Sequence, residues 1–275
     1  MSALFSDIDI DIPITTKGSH VMTASGAFAD RTVLVTGAAH GLGRGIALAF
    51  AAEGATVWGC DVMADGLAET AKLAPRPITV RSVDVTDRAA VMRFAESALA
   101  ATGRIDILVN DAGGLCGQTG KPVEDVSEDD WGAVLGVNVT GTFLCTQAVV
   151  PAMKRAGYGR IINISSGAGL ALTVTGIQSY AAAKAAVIGL TRQTGHELGQ
   201  FGITVNSVAP GSIPCNPYSL GKWQRLGPDG QKAALERIAT RRVGTPQDVA
   251  NAVMFFAGEG AGWITGQTLL VDGGK

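Results

Sequence analysis

The stretch TVLVTGAAHGLG, residues 32–43, decides the fold. Its first four residues are apolar or β-branched, and they predict a strand that is buried on both faces. A glycine-rich turn follows, and then an apolar helix that we expect to end near Glu53-Gly54. A second strand is predicted over residues 55–60 and leads directly into Asp61. This order of strand, turn, helix, strand and acid predicts a mononucleotide-binding βαβ unit.

The glycine turn is predicted to bind a dinucleotide. Gly37 permits a sharp turn, Gly41 lets the backbone approach a pyrophosphate, and Gly43 lets the helix pack closely on the sheet. The helix N-terminus then offers unpaired N–H groups to phosphate oxygens. Asp61 is placed to accept hydrogen bonds from the adenosine ribose and to repel a 2′-phosphate. Since no Arg or Lys lies between Thr36 and Gly43, the sequence favours NAD over NADP. The alternative is that the glycines serve the turn alone.

The rest of the chain continues the alternation of strands and helices. Further strands are predicted over residues 78–83, 105–109, 159–165, 203–209 and 267–271, and further helices over residues 64–73, 87–101, 129–155, 179–201 and 246–257. The pattern predicts an α/β fold, a Rossmann-like doubly wound parallel sheet of seven strands with helices on both faces. Ligands bind such a sheet at the carboxyl ends of its strands. Residues 210–245 are predicted to be irregular, with a lid at about residues 212–245, because the connection is unusually long.

The composition excludes several classes of partner. The 275 residues carry a net charge of −2 without a basic run, which argues against nucleic acid. The longest apolar stretches fall short of the ~20 residues of a membrane span. The cysteines have no close pair, and we interpret them as reduced thiols of a cytoplasmic protein; they are Cys60, Cys116, Cys145 and Cys215. No metal site is predicted, because the histidines do not cluster; they are His20, His40 and His196.

Residues 31–275 are predicted to form one catalytic domain, and residues 1–30 lie outside its pattern. Within the first 30 residues, Asp7–Ile12 alternates as a strand would, but Pro13 ends the pattern. Lys17–Met22 is similar to a remnant of cloning. We therefore expect a flexible N-terminal tail, a segment derived from cloning, or an arm that lies on a neighbouring subunit.

Tyr180 and Lys184 are the first residues with a chemical pattern. They stand at i and i+4 on one predicted helix, so their side chains are neighbours. A free tyrosine titrates near pH 10, and a neighbouring cation favours the phenolate and lowers its pKa. This pair is weak evidence alone, because Tyr-x-x-x-Lys recurs by chance on helix faces. Its surroundings are apolar, however, and a buried lysine needs a partner.

Together these motifs resemble the classical short-chain dehydrogenase/reductase family from about Asp30 to Gly274. The matching positions are Thr36, Gly37, Gly41 and Gly43 in the cofactor turn, Asn110, Ala112 and Gly113 after the fourth strand, Asn138, Ser166, Tyr180, Lys184, Pro210 and Gly211. The chain departs from the family pattern at Asp111, where an asparagine is usual, and at Cys215, where a threonine is common and for which Asn216 is a candidate substitute. The spacing from Ser166 to Tyr180 is also one residue longer than usual.

The resemblance implies a catalytic role for four residues. Tyr180 exchanges a proton with the substrate oxygen, and Lys184 lowers the pKa of Tyr180 and binds the nicotinamide ribose. Ser166 hydrogen-bonds the reacting oxygen, with Ser165 as the competing candidate. Asn138 holds a water that links Lys184 to solvent. In the alcohol-oxidising direction the hydride goes to NAD while the phenolate takes the hydroxyl proton.

The resemblance also implies the residues around the ligands. Those expected at the cofactor are Gly37, His40, Gly41, Leu42, Gly43, Asp61, Asp84, Val85, Asn110, Ala112, Gly113, Tyr180, Lys184, Pro210, Gly211 and Ile213, with His40 alternatively an exposed turn residue. Those expected at the substrate are Ser166, Ala168, Ile177, Tyr180, Tyr218 and Trp223, the last two alternatively packing the lid on itself. Residues 263–267 and 271–274 resemble the family's tetramer-forming edge, so a homotetramer is expected, with a dimer as the alternative.

The function favoured by the sequence is an NAD-dependent interconversion of a secondary alcohol and a ketone, with a hydrophobic or aryl-substituted substrate. A sugar or polyol substrate is the second choice. A 3-oxoacyl-thioester reductase is disfavoured, because that role normally consumes NADPH and Asp61 argues against it. A non-catalytic dinucleotide-sensing protein would have no need for Tyr180 and Lys184, and neither would an S-adenosylmethionine methyltransferase.

Overall fold

The structure, a computed structural model, describes residues 26–172 and 176–275. Its seven strands are β1 (Thr32–Thr36), β2 (Thr56–Asp61), β3 (Thr79–Ser82), β4 (Ile107–Asn110), β5 (Gly159–Ile164), β6 (Ile203–Pro210) and β7 (Thr268–Val271). They form one parallel sheet in the order β3-β2-β1-β4-β5-β6-β7. The predicted doubly wound fold is confirmed, and the bounds of the strands differ from the prediction by at most two residues.

Helices cover both faces of this sheet. They are α1 (Gly41–Ala52), α2 (Ala64–Leu73), α3 (Arg88–Thr102), α4 (Glu128–Leu135), α5 (Gly141–Ala156), α6 (Gln178–Leu198), α7 (Pro217–Arg225), α8 (Gly227–Glu236) and α9 (Pro246–Ala257). Strand β1 shows why two layers are needed, because all of its residues are buried. Val33 and Val35 pack in a cluster with Phe50 of α1, whereas Leu34 packs on the opposite face with Phe94 of α3. The order of the strands reverses between β1 and β4, because the chain crosses from β3 back to β4 on the other side of β1. Ligands bind such sheets at this switch point.

The domain begins earlier than residue 31. Residues 26–30 form a turn whose Phe28 is buried edge-on against Phe50, with the ring centroids 4.9 Å apart. The backbone N–H of Phe28 also donates to the carbonyl of Glu53 at 3.1 Å. The prediction that residues 26–30 belong to a flexible tail is therefore wrong, since Phe28 fills a space against α1. The remainder of the predicted tail, residues 1–25, lies outside the described residues.

The predicted helix over residues 129–155 is one continuous helix, Glu128–Ala156, interrupted by a π-helical turn at Gly136–Thr140. Such turns are rare and are frequent at functional sites, and this one contains Asn138. By length and composition the helix could cross a membrane, but 44% of its most apolar segment is buried inside the domain. It packs on α3, β4 and β5, as a core helix of an α/β sheet does.

The segment after β6 is helical where the sequence predicted an irregular lid. Its two helices are α7 and α8. Asn216 caps α7, because its side chain accepts from the N–H of Ser219 at 2.9 Å while the Ser219 hydroxyl accepts from the N–H of Asn216 at 3.1 Å. Pro217 follows at the first helical position, which suits its fixed φ. This Asn-Pro-x-Ser signal was present in the sequence, but the polar composition of the segment concealed it.

Candidate active site

The glycine turn between β1 and α1 has no space for side chains. A Cβ on Gly43 would lie 2.2 Å from the carbonyl oxygen of Gly37, and one on Gly37 would lie 2.9 Å from the nitrogen of Ala112. Gly37 and Gly41 both have positive φ, at 71° and 58°, a conformation that glycine adopts at no steric cost. Gly37 and Gly43 therefore leave no room for a side chain, and the turn presents the N-terminus of α1 to a ligand. These features fit the pyrophosphate of a dinucleotide.

Asp61 lies beside this turn at the end of β2. Its Oδ2 accepts from the N–H of Ala39 at 3.1 Å, and its Oδ1 accepts from the N–H of Met63 at 3.0 Å. The side chain is partly exposed, so oxygen lone pairs stay available to a ligand. This placement suits an acid that binds ribose hydroxyls. His40, within the turn, is partly exposed and makes no side-chain cap to α1, and Leu42 is partly buried against the core.

A cation that the sequence analysis overlooked lies next to Asp61. The guanidinium of Arg44 donates from Nη2 to the carbonyl of Ala39 at 2.6 Å and to Glu69 at 2.7 Å, and from Nε to the Thr70 hydroxyl at 3.0 Å. Arg44 therefore bonds to the same residue, Ala39, that binds Asp61. Arg44 directly follows the turn residue Gly43 in the sequence, and it reaches back to the turn from the first turn of α1.

The residues expected at the adenine, Asp84 and Val85, and the residue at the end of β4, Asn110, differ in their exposure and contacts. Asp84 is exposed, and its Oδ1 accepts from the N–H of Thr86 at 2.8 Å, while Val85 is buried below it. The side chain of Asn110 does not reach the turn. Its Nδ2 donates to Asn163 of β5 at 2.9 Å, so this amide braces two strands inside the sheet.

Asn138 and the loop after β4 are locked together. Asn138 is fully buried, its Oδ1 accepts from the N–H of Gly114 at 3.1 Å, and its Nδ2 donates to the Gly114 carbonyl at 2.8 Å. A Cβ on Gly113 would lie 2.5 Å from Asn138 Oδ1 and 3.3 Å from Lys184 Nζ. Asn138, Gly113 and Lys184 are thus brought to one place. Ala112 adjoins them, with its N–H donating to the Thr36 hydroxyl at 3.0 Å.

The structure separates the two serines that follow β5. Ser165 is buried and donates to the carbonyl of Lys184 at 2.8 Å, so its hydroxyl holds α6 to the sheet. Ser166 is partly exposed, accepts from the N–H of Ala168 at 3.2 Å, and lies close enough to the phenol of Tyr180 to lower its pKa. Ser166 is therefore the serine beside Tyr180.

The electrostatics of Tyr180 differ from the expectation. Burial raises the pKa of Tyr180, the hydrogen bond from Ser166 lowers it, and the charge of Asp111 raises it further. Lys184 lies with Nζ 5.6 Å from the centroid of the phenol ring and donates to the carbonyl of Ile164 at 2.8 Å. Lys184 is not among the groups that shift the pKa of Tyr180 here, because the ammonium binds the end of β5 instead of the phenol oxygen. That Lys184 lowers the pKa of Tyr180 therefore stays a prediction.

The charges of Lys184, which is buried, and Asp111, which is partly buried, act on one another. Burial lowers the pKa of Lys184 to about 8, against the attraction of Asp111. Burial raises the pKa of Asp111 to about 7, against the attraction of Lys184 and a hydrogen bond from the N–H of Gly43, while Asp61 raises it. The acid that replaces the usual asparagine therefore keeps the structural hydrogen bond at the glycine turn and adds a group that titrates near neutral pH.

Replacing Asp111 by asparagine is expected to change the pH dependence of stability. As pH rises from about 4 to about 7, the unfolded chain loses the Asp111 proton that the folded chain retains, so the wild type loses stability. Asp111→Asn keeps the acceptor for Gly43 and removes this loss, which is at most about 4 kcal/mol for about three pKa units. Denaturant unfolding at pH 5 and pH 8 measures the free energy of unfolding of both proteins. Relative to the wild type, the variant should be more stable at pH 8 than it is at pH 5. Asp229→Asn, at an exposed acid of α8, is the control, and an equal offset at both pH values would contradict the prediction.

The segment after β6 closes the site from the other side. Gly211 donates to the carbonyl of Val271 at 2.9 Å, and a Cβ there would lie 2.5 Å from the Cβ of Asp272. Ile213 is buried. Cys215 brings its Sγ to 3.5 Å from where a Cβ of Gly41 would lie, and burial raises the pKa of its thiol to about 11. Asn216, the candidate substitute for threonine, uses its side chain to cap α7.

The residues expected at the substrate surround Tyr180 only in part. Ala168 and Ile177 are partly buried on the segments that carry Ser166 and Tyr180. On α7, Tyr218 is exposed, and Trp223 is partly buried with its carbonyl accepting from the side chain of Gln231 at 3.0 Å. The backbone of Trp223 therefore joins α7 to α8.

No metal centre is found at this site or elsewhere in the described ranges, where no three His, Cys, Asp or Glu side chains converge on one point. The four cysteines all lie within these ranges, and each is a free thiol.

Comparison with known proteins gives concordant matches over most of the chain. The family model described as enoyl-(acyl carrier protein) reductase matches residues 37–275. The (2S)-[(R)-hydroxy(phenyl)methyl]succinyl-CoA dehydrogenase subunit BbsD of Thauera aromatica is 41% identical over 90% of this chain and 96% of its own length. The 3-oxoacyl-[acyl-carrier-protein] reductase FabG of Thermotoga maritima is 38% identical over 89% and 97%. The crystal structure of levodione reductase superimposes with a TM-score of 0.83, at 31% identity over 90% of this chain and 98% of that one.

Proposed function

Because this chain belongs to the short-chain dehydrogenase/reductase family of oxidoreductases, we propose that it interconverts a secondary alcohol and a ketone with NAD. The observation that carries this proposal is the convergence of Ser166, Tyr180, Lys184 and Asn138 at the carboxyl end of the sheet. The non-enzyme alternative, a dinucleotide-sensing protein, has no use for Tyr180 and Lys184 beside Ser166.

The cofactor proposal depends on the turn and on Asp61. Gly37, Gly41 and Gly43 leave backbone alone around the phosphate position, and the partly exposed carboxylate of Asp61 offers acceptors to ribose hydroxyls. Arg44 is tied to Glu69 and to the turn, which leaves it poorly placed to compensate a 2′-phosphate. These contacts support NAD over NADP. When bound, NAD would supply the hydride acceptor for alcohol oxidation.

The chain's own residues would manage the proton. Ser166, which adjoins Tyr180, would donate to the alcohol oxygen and hold it beside the phenol. Tyr180, as phenolate, would take the hydroxyl proton at its phenol oxygen. Lys184 is fixed by Ile164 and has a pKa lowered to about 8 by burial, so it can release a proton near neutral pH. Asn138 and Gly113 border its ammonium and would form the path to solvent.

The proposed substrate is a hydrophobic or aryl-substituted secondary alcohol. Ala168 and Ile177 beside the catalytic pair are apolar, and Tyr218 on α7 is exposed where the lid could cover a ligand. The relative from Thauera aromatica carries a phenyl carbinol in the name of its substrate, which supports the aryl group. That substrate is also a coenzyme A thioester, and so a hydroxyacyl thioester is the second candidate. The sequence had disfavoured thioesters on cofactor grounds alone.

A panel of secondary alcohols with NAD or NADP tests the function. The panel contains 1-arylalkanols, polyols and 3-hydroxyacyl-CoA esters, and turnover is followed as growth of the reduced nicotinamide absorbance. We expect the highest kcat/KM for an aryl substrate with NAD. If a thioester is turned over fastest, the second candidate is established. If a polyol is turned over fastest, the activity is that of a sugar or polyol dehydrogenase. NADH binding without turnover of any member would favour the sensing protein.

Assembly and location are proposed on the same basis. Large apolar side chains are exposed on and near β7, at Phe255, Trp263, Leu269 and Leu270. Exposed apolar side chains of this size are a feature of interaction sites, and these lie on and near the edge that resembles the family's tetramer contact. We therefore propose a homotetramer in the cytoplasm, with a dimer as the alternative.

A further inference from the structure

The loop between β4 and α4 contains a buried glutamine that the proposed mechanism does not use. Gln118 is fully buried, and both ends of its amide are hydrogen-bonded. Its Oε1 accepts from the Ser179 hydroxyl at 2.6 Å. Its Nε2 donates to the carbonyl of Gly176 at 3.2 Å and to Oε1 of Gln178 at 3.1 Å. All three partners directly precede Tyr180 in the chain.

These bonds hold the first turn of α6 from outside the helix. Helix N-termini leave four N–H groups without intrahelical partners, and a capping side chain usually helps to fix that end. Here the residue before the helix, Ile177, supplies no side-chain cap. The start of α6 is instead fixed by Gln118 and by Gln178, whose Nε2 donates to the carbonyl of Lys121 at 3.0 Å.

The same loop is also hydrogen-bonded to Asn138, which the proposed mechanism places on the path of the proton to solvent. Its Gly114 is held by both ends of the Asn138 amide, and its Gly120 donates to the carbonyl of Gly176 at 2.9 Å. A Cβ on Gly176 would lie 2.6 Å from the Cα of Gly120, so the two backbones are in close contact. One loop therefore joins Asn138 to the turn before Tyr180.

Resting on the proposed acid–base role of Tyr180, we propose that Gln118 is a positioning residue that fixes the Tyr180 hydroxyl against Ser166, acting through Ser179 and Gly176. A fully buried amide costs free energy unless it is hydrogen-bonded, and an apolar side chain would fill the same space without that requirement. What the amide adds is a fixed direction for the first turn of α6. A displacement of 1 Å at a catalytic group can cost about 100-fold in rate.

Gln118→Met and Ser179→Ala test this inference on the whole enzyme. Methionine keeps the length of the side chain without its hydrogen bonds, and Ser179→Ala removes a single bond, so it serves if the first variant folds poorly. We expect kcat to fall about 10- to 100-fold in Gln118→Met and to fall less in Ser179→Ala, with KM and the Kd of NADH unchanged. The rise of kcat with pH should move to higher pH in both variants, because moving the phenol away from Ser166, which lowers the pKa of Tyr180, leaves that pKa higher.

A double-mutant cycle on kcat adds a second measure. If Gln118 acts through Ser179, the double variant should be impaired little more than Gln118→Met alone, because the two share one hydrogen bond. The matched control is Asn206→Leu. Asn206 is a buried amide that also ties loop backbone at both ends, to Ile264 at 2.8 Å and Gln267 at 3.1 Å, but it lies on β6. The Asn206→Leu variant should therefore lose stability while retaining the kcat and the pH profile of the wild type.

The outcomes separate this inference from the function on which it rests. If Gln118→Met and Ser179→Ala lose only stability, as the control does, or if their effects on kcat multiply in the double variant, the positioning role is overturned. In that case an inactive Tyr180→Phe would show that the proposed function still stands. Wild-type turnover in Tyr180→Phe would instead refute the proposed function itself.

Discussion

Tyr180→Phe is expected to reduce kcat by about 10²- to 10⁴-fold while leaving NADH binding nearly intact. General acid–base catalysis contributes rate factors of about this size, and the variant removes only the phenol oxygen that would exchange the proton. The Ser166 hydroxyl loses a partner, but it keeps its bond from the N–H of Ala168. Steady-state turnover of the best alcohol from the panel measures kcat, and quenching of intrinsic fluorescence by NADH measures binding.

Tyr158→Phe is the matched control for this variant. Tyr158 lies far from the glycine turn, donates to Glu259 at 3.3 Å and stacks against the guanidinium groups of Arg31 and Arg160. Removing its oxygen should change stability slightly and turnover not at all. Near-normal kcat in Tyr180→Phe would refute the acid–base role of Tyr180, because no other described side chain bonded to Ser166 carries a proton that titrates above neutral pH.

The parts of the fold that the sequence predicted are those set by local rules. The stretch of residues 32–43 predicted its strand, turn and helix correctly, because apolar runs and glycines constrain the backbone directly. The parallel sheet with helices on both faces followed from the alternation of strands and helices. The helices α7 and α8 were missed, since both segments are polar and contain glycine and proline, and neither has a buried residue.

The electrostatics of the site were harder to predict, because they depend on contacts between distant segments. Tyr180 and Lys184 are neighbours on α6, yet the direction of the ammonium is set by the carbonyl of Ile164 on β5. The raised pKa of Asp111 comes first from burial, which its position in the sequence does not reveal. Gln118 gave no signal at all, since a glutamine in a glycine-rich loop is ordinarily exposed.

The cofactor preference was predicted from Asp61 with only part of its surroundings in view. Arg44 lies one residue beyond the turn Thr36–Gly43, which contains no Arg or Lys, and its guanidinium donates to the carbonyl of Ala39. Whether that guanidinium could serve a 2′-phosphate depends on Glu69, whose own pKa it lowers by hydrogen bonding. Neither the reach of Arg44 nor its partner on α2 is a local property of the sequence.

Asp61→Ala is therefore expected to lower the ratio of NAD to NADP efficiency by about 100-fold. Loss of a hydrogen bond to a charged acceptor costs about 1.5–3 kcal/mol, which weakens NAD binding, and loss of the carboxylate removes the repulsion of the 2′-phosphate. Adding Glu69→Gln should improve NADP further, because Arg44 then loses its carboxylate partner at 2.7 Å and its charge becomes available to the phosphate. The kcat/KM values for both cofactors measure the ratio, and Kd values for NADH and NADPH check that binding is responsible.

Glu69→Gln alone separates the two contributions. With Asp61 in place the carboxylate still repels the 2′-phosphate, so releasing Arg44 should change the ratio much less than Asp61→Ala does. An unchanged ratio in Asp61→Ala would show that the ribose contact lies elsewhere. If Glu69→Gln alone produced the larger shift, the preference would depend chiefly on how tightly Arg44 is held, and the carboxylate at the end of β2 would serve mainly to bind the backbone of Ala39 and Met63.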